Sequence, residues 1–173
     1  MGFAVLHINK VSGNDAGMTA HIERTIDPKN ADKSRTYLNR ELIDFPDGVS
    51  NRTEAIQHRI DNAGIKRKIG KNQVRALRIM LSGTSEDMKR IEKEGKLNEW
   101  CRDNIDWLSK TFGNENLVSA VLHLDEKTPH IHTTVAQVVS SERRKAKLEL
   151  SKIGKKYRKK NPKTTRLCAD DVM

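Results

Sequence analysis

Residues 117–139 read LVSAVLHLDEKTPHIHTTVAQVV. Two apolar, β-branched runs, Leu117 to Leu124 and His130 to Val139, flank the turn-forming DEKTP, so the stretch predicts a β-hairpin. His130 and His132 stand two apart, and on a strand their side chains leave the same face. The turn folds His123 back against that pair, where cross-strand side chains are near neighbours. Three imidazoles then converge on one point. That is a facial three-nitrogen set for a divalent ion, with positions left for water or phosphate oxygens. Glu126, in the turn, is placed as a further ligand or as an acceptor that orients an imidazole. Imidazole suits Mn, Fe, Co, Ni, Cu and Zn, so the pattern names no metal.

Working outward, Val74 to Leu81 reads as a strand. Thr84 with Asp87 forms a capping box, and one long helix is expected from there to Phe112. Its apolar stripe is Leu97, Cys101, Ile105, Leu108 and Phe112, and Gly113 is a natural stop. Asn51 with Glu54 caps a second helix over 52–63. Residues 3–9 read as a first strand, 18–25 as a short helix carrying His21 and Arg24, and 26–50 as a long loop with a turn of helix at 34–42. Strands separated by helices, ending in a hairpin, define a single α/β (α+β) domain. A central, mainly antiparallel sheet is expected, with helices packed mainly on one face.

The chain has 173 residues, about one domain. Its formal charge is +10, and most of that is local: residues 141–163 hold eleven Lys and Arg against Glu142 and Glu149. A segment this basic suits a polyanion, nucleic acid above all. We therefore expect a core over 1–140 and a basic, helical DNA-binding extension over 141–173, continuing in a longer protein. Arg143, Arg144, Lys145, Lys155, Lys156 and Arg158 in it would track a phosphate backbone, with Arg75 and Arg78 and the basic cluster Lys66, Arg67, Lys68 and Lys71. With three Phe, two Trp and two Tyr, the chain has too few aromatics for a wide base-stacking platform. Cys101 and Cys168 match no metal or redox spacing, no apolar run spans a membrane, and no signal peptide leads the chain, so a cytoplasmic protein is expected. His7 reads as structural and His58 as exposed on a helix.

The block from His123 to His132 resembles the metal motif of HUH endonucleases, more closely that of the MobV (Pre/Mob) plasmid mobilisation relaxases. His21-Ile-Glu-Arg24 is similar to that family's HxxR motif, and Leu38-Asn39-Arg40-Glu41-Leu42 to its N-x-E-L motif. The resemblance implies a ferredoxin-related sheet with the metal motif on central strands. It implies a protein that binds the origin of transfer of a mobile element, partly single-stranded. The protein would cut one strand by transesterification and keep the 5′-phosphate. It further implies coupling to the conjugation machinery through regions outside this chain. His123, His130 and His132 would hold a divalent ion, Mn2+ or Mg2+, supported by Glu126. His21 would be the nucleophile, Arg24 a phosphate clamp and Glu41 a partner or base for His21. Arg24, Asn39 and Arg40 would border the DNA.

One departure matters: Arg40 stands where some relatives carry Tyr. Tyr37 remains a second nucleophile candidate, which would make the chain a rolling-circle replication initiator. A non-catalytic nucleic-acid-binding module is a further alternative, and a small-molecule metal hydrolase a weaker one.

Overall fold

The computed structural model describes residues 4–141 and 164–169. Strands β1 (Ala4–Ser12), β2 (Arg40–Glu41), β3 (Val74–Gly83), β4 (Leu117–His123) and β5 (His130–Val135) form one sheet in the order β1-β3-β5-β4-β2. Every neighbouring pair is antiparallel. The expected mixed α+β architecture and its antiparallel sheet are present. The hairpin strands sit inside: β5 is central, and β4 is buried along its whole length.

Register divides the sheet into two faces. Val135, Ile131, Leu122, Leu77, Ile79 and Leu81 lie on one side and pack with Cys101, Leu108 and Phe112 of helix α4 (Leu97–Phe112). His130, His132, Thr134 and their cross-strand partners His123, Ser82, Met80 and Arg78 lie on the other. Helices α1 (Ala16–Ile22) and α2 (Arg52–Asp61) serve this second face, with Ile56 and Ile60 of α2 packed among Val11, Ala76 and Ala136. Helices therefore cover both faces, not mainly one. The apolar positions of α2 need a partner as much as those of α4 do, and the alternation of β1 and β3 supplies one on each side.

Two further differences from the sequence reading have local causes. The long helix is broken into α3 (Ser85–Lys93) and α4. Gly95 sits at φ 70, with its N–H on the Glu92 carbonyl and the Lys96 N–H on that of Ile91. That is a Schellman stop, for which glycine is the favoured residue. The hairpin's second strand also ends early. Asn116 takes up the next backbone groups, accepting from Val138 N–H (3.2 Å) and donating to its carbonyl (3.0 Å). Released from the sheet, β6 (Val138–Ser141) pairs with β7 (Thr164–Leu167), an element with no sequence signal of its own. Residues 164–169 of the expected extension thus reach the core, where Leu167 and Ala169 are buried. Arg143, Arg144, Lys145, Lys155, Lys156 and Arg158 lie outside the described residues. Among the described residues, no helix is long and apolar enough to cross a membrane.

Candidate active site

The hairpin register places His123 directly opposite His130, with His132 two residues along on the same face. The three ring centroids lie 4.8–5.2 Å apart, and one ligating atom from each falls within 4.8 Å of the others. Backbone carbonyls fix two tautomers. His123 Nε2–H donates to Ile22 O at 2.9 Å, and His130 Nδ1–H to Thr128 O at 2.9 Å. A carbonyl can only accept, so His123 Nδ1 and His130 Nε2 keep bare lone pairs. This is the arrangement in which an outer hydrogen bond orients a metal-ligating imidazole. His130 Nε2 and His132 Nε2 face each other at 3.2 Å, a separation that requires a shared proton or a cation between them. Burial first, then its imidazole neighbours, lowers the His132 pKa to about 2. Burial lowers that of His123 to about 4. Both rings are neutral near pH 7, as ligands must be. The donor set fits a divalent ion.

Glu126 Oε1 lies 3.9 Å from both His123 Nδ1 and His130 Nε2, in reach of the same point. Its other oxygen accepts from Asn30 Nδ2 at 2.6 Å. Arg24 closes the site from just beyond the C-cap of α1. Its guanidinium donates to both oxygens of Asp125 (2.8 Å each), to Glu126 Oε1 (2.8 Å), to His123 Nδ1 (3.0 Å) and to the His21 carbonyl (2.6 Å). His123 Nδ1 has one lone pair, so the Arg24 hydrogen bond and a metal ion are alternatives there. Arg24 reaches this position from φ +55, at the residue after the α1 C-cap where glycine is usual. Its hydrogen bond holds Asp125 well below the usual carboxylate range.

His21 leaves the last turn of α1 and stands edge-on to His132, ring centroids 6.1 Å apart. Burial and the neighbouring Arg24 charge lower its pKa, which favours the neutral imidazole. The structure therefore gathers His21, Arg24, His123, Glu126, His130 and His132 at one place. Asn39 lies beside it, but as a support: its Oδ1 accepts from Leu124 and Asp125 N–H at 2.7 and 3.2 Å, fixing the turn. Glu41 is on the edge strand β2, in the cross-strand row of Val121 and His132, and is exposed. Arg40 points to the opposite face, donating to Asn98 of α4 at 2.9 Å. Arg75 is at the far end of β3, bonded to Gln57. Arg78 is half-buried on the histidine face, 3.8 Å from Asp15. Tyr37 is 82% exposed on a short 3-10 turn.

His7, read as structural, is instead exposed. Its strand partner Met80 is also the partner of His132, so it shares the histidine face. The reading also passed over Asp125, although it stands inside the quoted block. Buried Arg52 carried no signal beyond its place in a helix.

An α+β domain with an internal antiparallel sheet and a three-histidine candidate metal centre, flanked by a histidine in the last turn of a short helix and an arginine just beyond its C-cap, is the class defined by these features. The sequence profile of the plasmid recombination enzymes, Mob_Pre, matches residues 1–166, and the chain belongs to that family. A plasmid recombination enzyme type 3 of Staphylococcus aureus is 27% identical over 155 residues, which is 85% of this chain and 36% of that protein. A 65 kDa protein of Zymomonas mobilis is 32% identical over 123 residues, covering 71% of this chain and 20% of that protein. The chain thus spans about a third or less of these relatives' length. The relaxase domain of MobM, bound to plasmid pMV158 oriT DNA in a Mn-bound crystal structure, matches with a TM-score of 0.67 and 28% identity. That match covers 77% of this chain and 69% of the MobM chain.

Proposed function

We propose that this chain is the nicking domain of a mobilisation relaxase: it binds origin-of-transfer DNA, cuts one strand and retains the 5′-phosphate on His21. The observation that carries this reading is the His21 ring standing edge-on to His132, beside three convergent imidazoles. His123, His130 and His132 would hold the divalent ion, with Mn2+ supported by the MobM likeness. When bound, that ion acts as a Lewis acid that offsets charge developing on the phosphoryl oxygens.

The chain's own groups do the rest. His21 attacks phosphorus with a bare ring nitrogen. A P–N bond forms and the P–O3′ bond breaks; the other ring nitrogen of His21 gives up its proton to solvent, and the departing 3′-oxygen takes one up to leave as a hydroxyl. The phosphoramidate keeps the bond energy for rejoining, the advantage of covalent catalysis. Arg24, held rigid by Asp125, presents its guanidinium beside the His21 turn, where it orients a phosphate and disfavours protonation of His21. Glu126 supports the imidazoles. Asn39 holds the turn, and Arg78 with the basic extension supplies backbone contacts that give affinity and salt dependence without sequence choice. A cytoplasmic location belongs to the same reading; Cys101 and Cys168 are free thiols.

The test is a nicking assay with the origin fragment of the element that carries the gene, in Mn2+. We expect a covalent adduct on a denaturing gel with wild type and Tyr37→Phe and none with His21→Ala. An adduct that disappears with Tyr37→Phe would move the chain to the tyrosine class. DNA bound without nicking in any divalent ion would favour the binding-module reading.

A further inference from the structure

Arg52 lies on the histidine face, is fully buried, and takes no part in the chemistry above. Its Nε donates to Thr134 Oγ1 at 2.6 Å, Nη1 to Thr19 Oγ1 at 3.0 Å and Nη2 to Asp15 Oδ2 at 2.8 Å. Its backbone N–H donates to the Glu23 carboxylate. Asp15, Thr19 and Glu23 are spaced by four residues, so they form one stripe along α1, from N-cap to C-cap. The hydrogen bonds run in one direction: Thr19 accepts from Arg52 and donates to Thr53 Oγ1 (2.8 Å), which donates to the Asn14 carbonyl (3.2 Å). The fourth partner is on the sheet. Thr134 stands two residues after His132 on the same face of β5.

The Arg52 side chain therefore ties the N-cap and middle of α1 to the strand that carries the candidate metal ligands, and its backbone N–H holds the C-cap. His21, two residues from Thr19, leaves α1 away from the gripped stripe and toward His132. The α1 N-cap, Asp15, is left-handed and makes no side-chain capping bond; its carboxylate bonds Arg52 instead.

We infer that Arg52 is a positioning residue for the reaction: it sets the separation of the His21 imidazole from the His123–His130–His132 cluster by tying α1 to β5. The inference rests on the relaxase reading with His21 as nucleophile. The physical warrant is that reacting groups misplaced by about 1 Å lose about 10²-fold in rate. Lysine keeps the charge of Arg52 but cannot bridge three partners with one planar fork.

The experiment uses the full chain with an origin-strand oligonucleotide. Single-turnover cleavage is followed at saturating DNA and Mn2+, with the Kd for Mn2+ and for DNA measured separately. For Arg52→Lys we expect cleavage at least about tenfold slower, with both Kd values within about twofold of wild type, because the three imidazoles and the DNA face are untouched. Thr134→Val, which removes a single hydroxyl, should slow cleavage by about threefold to tenfold and decides the matter if Arg52→Lys does not fold. Thr19→Val combined with Thr134→Val should depart from additivity, since both act through one guanidinium. Variants that melt at lower temperature yet cleave within about twofold of wild type, per metal-loaded molecule, would overturn the inference and leave Arg52 a purely structural residue. Wild type that binds Mn2+ and DNA but never cleaves would strike the relaxase reading itself, and is recognised without any variant.

Discussion

Arg24 and Arg52 are the same side chain, buried on the same face of the same sheet, in different surroundings. Arg24 is held by two carboxylates, an imidazole and a carbonyl, and its side chain keeps 6% of its surface open beside half-buried His21. Arg52 is enclosed, with one carboxylate and two hydroxyls as side-chain partners. The partners also leave opposite marks. Burial tends to lower the pKa of both, but the hydrogen bonds Arg24 donates to Asp125 and Glu126 raise its pKa, whereas burial prevails at Arg52. An arginine with surplus negative partners at a solvent-reached corner can share them with an incoming ion or phosphate. One whose partners only just satisfy it can do nothing except hold elements together. Burial of a charge is thus a poor guide to its role, and the partner set is a better one.

The largest expected effect lies at the corner Arg24 guards. His132→Ala removes one of three nitrogen donors. Nicking should fall by about 10²–10³-fold or more, and calorimetry should show Mn2+ binding lost, with the far-ultraviolet dichroism unchanged. Persistence of Mn2+ binding would show that the ion sits elsewhere.

Next comes the cost of stranding each arginine. Asp15→Ala leaves fully buried Arg52 with no carboxylate on its side chain, and urea denaturation should show a loss of about 3–5 kcal/mol. Asp125→Ala should cost less, about 1–3 kcal/mol, because Glu126, the His123 imidazole and the His21 carbonyl still serve the Arg24 guanidinium. The reverse order would break the comparison.

Acid titration of the chelated protein gives a third test. The folded pKa of His123, about 4, lies below the unfolded value of 6.5. The unfolded chain therefore binds protons first, and stability present above pH 6.5 falls as pH drops toward 4. His123→Gln should flatten that slope, read as melting temperature against pH. The smallest effect is at the start of α3. Thr84→Ala removes the cap that accepts from Asp87 N–H, costing about 1 kcal/mol with nicking unchanged.

Much of this was legible in the residues. Period-two spacing of His130 and His132, with a turn of fixed length back to His123, is local information, and it yielded the cluster. The caps Asn51 and Thr84 are equally local and mark the starts of α2 and α3. What escaped depends on contacts distant in sequence. Arg52 meets Thr134 across 82 residues. β7 pairs with β6 outside the main sheet, where the Asn116 side chain bonds the Val138 backbone from 22 residues away. Gly95 was legible as a helix stop, but the strong stripe of α4 masked it.

The most direct test of His21 as nucleophile is to digest the Mn2+-dependent adduct and map the DNA-bearing peptide by mass spectrometry. We expect the 5′-phosphate on His21, through an acid-labile P–N bond. A DNA-bearing peptide containing Tyr37 or Tyr157 instead would contradict it.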